Sequence, residues 1–224
     1  MVRSVRNLPR AGRKFIGSCF VGVAGIAAAA LVVACGGSSG DGDGGGGASD
    51  AGSGADRRLP GPIYPAASCK VTIETPELVA GTHVPEGTVI TYNSNPPCSG
   101  PHYPAWANFQ EYTAPLDEGY LVHSLEHGAV ALLYKCDPAT DACKATIDSL
   151  RKIRDAMPAD PMCDPAVRVR VVIAPFPKLD APIGAVAWGI TYKAECVDVP
   201  TLTQFAKDNY ARATENICAP GRSF

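Results

Sequence analysis

Ten of the 19 residues from Gly36 to Gly54 are glycine, and the others are Ser, Asp and Ala. Such a segment has nothing to bury and reads as a flexible coil. Only nine glycines remain from residue 55 onward, so any fold must be built after this break. The chain is therefore divided into a leader over 1–34, a tether over 35–61 and one folded domain over 62–224.

The leader reads as an address. Arg3, Arg6, Arg10, Arg13 and Lys14 precede an apolar run from Phe15 to Ala34 that contains no charge, the pattern of a secretory signal peptide. About 20 apolar residues would also span a bilayer. The junction Leu31-Val32-Val33-Ala34-Cys35-Gly36 decides between them, because it resembles a bacterial lipobox, whose Cys is acylated before cleavage. Cys35 is the expected lipidation site, and membrane attachment runs through its lipid. Gly36 after the Cys resembles an outer-membrane sorting signal if the cell is Gram-negative. The mature chain keeps 15 Lys and Arg against 22 Asp and Glu. That acidic balance excludes a nucleic-acid partner, since phosphate neutralisation needs a basic excess.

The domain carries Cys69, Cys98, Cys136, Cys143, Cys163, Cys196 and Cys218, a density suited to an oxidising compartment. Cys136 and Cys143 enclose a short turn and are expected to pair. If strands 167–174 and 184–192 form a hairpin with Val167 opposite Tyr192, paired positions sum to 359, as do Cys163 and Cys196. Cys69 with Cys98 is the third expectation, and Cys218 is left over.

Short Val-, Ile- and Thr-rich runs predict strands over 70–74, 88–92, 119–123, 128–134, 167–174 and 183–192. Two helices are expected. Residues 144–157 place Ile147, Leu150, Ile153 and Met157 on one stripe, and 201–213 place Leu202, Phe205, Ala206 and Tyr210 inward with Asp198 as cap. The expected fold is a single, disulfide-stapled α+β domain with a mainly antiparallel sheet. Arg168 and Arg170 read as a solvated strand face. Trp106, Phe109, Tyr112 and Trp188 read as core.

The four histidines are His83, His102, His123 and His127. Three of them fall within Asn95-Pro96-Pro97-Cys98-Ser99-Gly100-Pro101-His102 and Val122-His123-Ser124-Leu125-Glu126-His127-Gly128. These two runs, with Trp106 between them, resemble the signature of the bacterial domain-of-unknown-function 3105 family over about 85–218. The resemblance implies a secreted or lipid-anchored chain and brings no activity with it. Cys98 and Ser124 depart from the pattern, which has Thr and Asn there.

His123-Ser124-Leu125-Glu126-His127 also fits the His-x-x-Glu-His pattern of inverted zinc peptidases. There the motif lies on a helix, and Glu126 would be the general base. Gly128 leaves room only for a short helix. The strand-like flanks favour a hairpin in which Ser124-Leu125-Glu126 is the loop and His123 and His127 face each other across it. His102 is then the natural third ligand, giving a three-His site for zinc or copper. Three function classes follow: a metal-binding envelope lipoprotein, a metal-dependent hydrolase using Glu126, or a structural or partner-binding envelope protein whose histidines are architectural.

Overall fold

A computed structural model of the chain describes residues 64–224. The leader, the tether and Cys35 lie outside the described residues. The elements run β1 (Val71–Glu74), α1 (Glu118–Glu126), β2 (Val130–Tyr134), α2 (Asp141–Asp155), β3 (Val171–Pro175), β4 (Ile183–Ala187), β5 (Ile190–Ala194) and α3 (Val199–Asn209). The strands form one sheet in the order β1-β5-β4-β2-β3. Its β2–β3 pair is parallel and its other three pairs are antiparallel. This is the expected α+β domain with a mainly antiparallel sheet, but with three helices rather than two.

The sheet is covered on both faces. Along β2, Val130, Leu132 and Tyr134 point to one core, while Ala131 and Leu133 point to another. The first core is closed by Ile147, Leu150 and Ile153 of α2 and by Leu202, Phe205 and Ala206 of α3. Their 3.6-residue spacing places one stripe on the sheet. The Thr140 hydroxyl accepts from the Cys143 amide at the start of α2, and Asp198 accepts from the Thr201 amide at the start of α3. The second core is closed by Leu121 and Leu125 of α1 and by loop residues such as Cys98, Ala107 and Tyr112.

Helix α1 replaces the strand expected over 119–123. Seven of its nine residues are buried, so it shows no polar face and no helical periodicity in the sequence. Asp117 caps its start by accepting from the Gly119 amide. Gly128, with φ +84°, ends it in the left-handed conformation that a glycine adopts without strain. A Cβ there would stand 2.8 Å from Ala211 Cα.

Residues 88–92 are irregular rather than a strand, and Val89 is 94% exposed. The run 183–192 is a hairpin, β4–β5, turning at Trp188-Gly189. The expected hairpin between 167–174 and 184–192 does not form. Helix α2 carries the chain from β2 over to a parallel β3, and β4 then returns to the opposite edge of β2.

That difference reassigns the cysteines. Cys136–Cys143 pairs as expected, but Cys69 pairs with Cys196 and Cys163 with Cys218. The register argument was sound with the wrong strands. Val71 lies opposite Ala194 in the β1–β5 pair, and stepping two residues outward on both strands brings Cys69 to Cys196. Cys98, expected to bridge Cys69, is a buried free thiol, and Cys218 is not left over.

Candidate metal centre

His123 and His127 are one helical turn apart at the C-terminal end of α1, not across a hairpin loop. Residues at i and i+4 share a helix face, and their Nε2 atoms stand 3.1 Å apart. Glu126, at i+3, projects beside them, and its Oε2 lies 2.9 Å from His102 Nε2. His102 comes from the proline-rich loop. That loop is pinned beside residues 82–84 by hydrogen bonds from the His102 amide to the Thr82 carbonyl and from the Val84 amide to the His102 carbonyl. The same pairing delivers His83, whose ring centre is 5.1 Å from His102 and 4.8 Å from His123.

His102, His123 and His127 are buried, while His83 is exposed. Burial, aided by the neighbouring imidazoles and opposed by the Tyr103 carbonyl, pushes His123 down to about 4. Burial likewise lowers His127, with Glu215 opposing it. Both rings are therefore neutral at physiological pH, the form that ligates metals.

Tautomers are fixed by carbonyls. The Nδ1 atoms of His102 and His123 lie 2.9 Å and 2.6 Å from the Gly100 and Tyr103 carbonyl oxygens. A carbonyl only accepts, so both Nδ1 atoms carry a proton and Nε2 is the nitrogen left to ligate a metal. His102 Nε2 faces a Glu126 carboxylate oxygen at 2.9 Å, an ion pair when the ring carries both protons. His127 Nδ1 is buried without a partner.

The expected triad is not brought together as one set. Two groups of ligand atoms converge within 4.8 Å: His83, His102, His123 and Glu126, and separately His123, His127 and Glu215. His123 belongs to both. His102 joins only the first group and His127 only the second.

The family scan agrees with the motifs. Residues 83–220 match the family described as "Protein of unknown function (DUF3105)". The chain belongs to the DUF3105 family. The matched span begins at His83 and contains every histidine and both carboxylates of the two groups. No curated protein and no solved structure matches the chain.

Sequence reasoning did not place His83, Glu215, Thr214, Asp160 or Arg170 at the DUF3105 site. His83 is far from the dense motifs, and only loop pairing recruits it. The C-terminal strap from Ala211 onward carries Thr214, which donates to Glu126 Oε1 at 3.3 Å, and Glu215, 3.0 Å from His127 Nε2. Arg170, expected on a solvated face, is 1% exposed. Its guanidinium donates to Asp160 at 2.7 and 3.0 Å, to the His127 carbonyl at 3.0 Å and to Asn216 at 2.6 Å. It thus ties the end of α1 to the strap. Trp106 is partly buried rather than core, with its ring centre 4.5 Å from His127. Gly81 closes over Glu126, where a Cβ would collide with the carboxylate.

Proposed function

We propose that this protein binds one divalent transition ion, zinc or copper, in the cell envelope, with His83, His102, His123 and Glu126 as ligands. One observation carries the reading. The ligand atoms of His83, His102, His123 and Glu126 all lie within 4.8 Å of one another, with His102 Nε2 only 2.9 Å from a Glu126 carboxylate oxygen, a grouping that a single cation would hold together. Three imidazoles and one carboxylate form a donor set that suits zinc or copper(II). Gly100 and Tyr103 supply the outer hydrogen bonds that orient ligating histidines.

Four protein donors make a closed site, the arrangement of holding rather than of hydrolysis. Glu126 within the donor set also argues against its use as a general base. The three disulfides fit an oxidising compartment outside the cytoplasm. Among the described residues no helix is long and apolar enough to cross a membrane. Attachment in this reading is through lipid on Cys35.

The test is elemental analysis of the full chain, exported to the periplasm and purified without chelator. One zinc or copper per chain is expected. Glu126→Gln lowers metal affinity ~10–100-fold if Glu126 is a ligand and leaves the metal bound if it is only a base. Wild-type protein that stays metal-free after loading overturns the reading. Cys35→Ser should release the chain from membranes, and unchanged membrane fractionation overturns the anchor.

A further inference from the structure

We infer that His123, His127 and Glu215 form a second, outer station through which the ion enters and leaves, with His123 as the pivot shared by both stations. The inference rests on the metal-binding reading above and concerns how that site is filled.

The two ligand groups share His123, yet its Nδ1 is occupied by the Tyr103 carbonyl. Its Nε2, 3.1 Å from His127 Nε2, is the one nitrogen left for a metal, so it serves one ion at a time. The two groups are therefore alternative shells for a single ion. They differ in access. The Glu126 side chain is 11% exposed, whereas that of Glu215 is 46% exposed. A carboxylate at the surface attracts a hydrated cation and exchanges water for protein ligands one at a time. His127 Nε2 stands 3.0 Å from that carboxylate and 3.1 Å from His123 Nε2, so the outer donors form an unbroken line to the pivot. From there the ion needs only to trade His127 and Glu215 for His102 and Glu126.

One strap touches both stations. Thr214 donates to the Glu126 carboxylate, and the Glu215 amide donates to the Glu126 carbonyl at 3.0 Å. The Arg170–Asn216 bond and the Cys163–Cys218 disulfide hold the strap down after Glu215, and the Ala211 amide, donating to the Gly128 carbonyl, holds it before. Glu215 is thus fixed in place rather than a chance surface acid. His83 offers a second mouth because it is exposed, but it brings no negative charge to attract the ion.

The experiment uses the full chain and copper(II) as the probe. Uptake is followed by quenching of Trp106, which lies against His127, and release is timed after transfer into excess EDTA. Glu215→Gln keeps the backbone bond to Glu126 and the fold. It should slow both uptake and release ~10-fold while the stoichiometry stays at one and affinity changes little. Glu126→Gln should do the opposite: weaker binding at the inner station with faster release. Rates in Glu215→Gln within about twofold of wild type would overturn the inference and place the entrance at His83. A loss of affinity in Glu215→Gln as large as in Glu126→Gln would also overturn it, making Glu215 a resting ligand. Wild-type protein that takes up no copper removes the site itself, whereas normal binding with unchanged Glu215→Gln kinetics removes only the relay.

Discussion

The two faces of the sheet are finished in different ways. One is covered by α2 and α3, whose buried side chains are nearly all aliphatic or aromatic and interlock with Leu132, Ile173 and Tyr192. The other is covered by one nine-residue helix and by loops, and it buries His102, His123, His127, Ser99, Ser124 and Glu126. Polar groups of this kind are costly to bury unless partnered. On this face the partners come from three separate segments: the 82–84 pairing, the proline-rich loop and the C-terminal strap. The first face is held by area, the second by specific bonds. A substitution on the first should therefore cost stability alone, and one on the second should change the site as well.

The largest effect is expected at Arg170. It is the full-time partner of Asp160, whose carboxylate burial raises but which Arg170, the Met162 amide and the Tyr210 hydroxyl together hold below its usual range. Arg170→Met leaves Asp160 buried without its cation, a loss of ~3–5 kcal/mol. The His127 carbonyl and Asn216 also lose their donor, so metal affinity should fall together with the urea midpoint. Stability lost with affinity intact would show that Arg170 does not position the site.

Leu150→Ala probes the opposite face. Leu150 of α2 is fully buried against the sheet, and truncation should cost ~2–5 kcal/mol through lost contact and a cavity. Metal affinity of the folded variant should match wild type. A parallel loss of affinity would mean that the two faces are one cooperative network rather than two differently built halves.

The same contrast explains what the sequence disclosed. Helices α2 and α3 have one apolar stripe and one wet side, and their periodicity is plain. Helix α1 is buried almost all round, so Leu121-Val122 read as a strand, Leu125 as part of a loop, and the His123–His127 geometry as a hairpin. Glu126 and the three motif histidines were visible as candidates because the motifs are dense. Their division into two groups around His123 was not, since it depends on His83 and Glu215 arriving from segments 40 or more residues away in the chain. Two of the three expected disulfides failed for a related reason. A register sum identifies facing cysteines only once the strand partners are known, and β1–β5 joins the two ends of the domain.

The smallest effect sharpens the comparison by pH. Asp198, at the start of α3 on the helical face, accepts from the Ser68 amide and hydroxyl at 2.8 Å and from the Thr201 amide at 3.0 Å. Bonds from the Thr201 side chain and then from the Ser68 amide hold its carboxyl well below the usual carboxylate range. A carboxyl depressed in the folded chain stabilises it above the unfolded pKa, ~3.9, and loses that contribution as pH falls through the folded value. Asp198→Asn keeps one acceptor to cap Thr201 but removes the charge and the second acceptor that serves Ser68, so at pH 7 it should cost ~1–2 kcal/mol. Below about pH 4 the unfolded carboxyl takes up a proton while the folded one still resists it, so the gap between the two urea midpoints should narrow progressively towards the depressed folded value. Metal binding at pH 7 should not change, because Asp198 belongs to the face without histidines. A gap that stays constant down to about pH 2 would show that the charge on Asp198 is not what steadies α3.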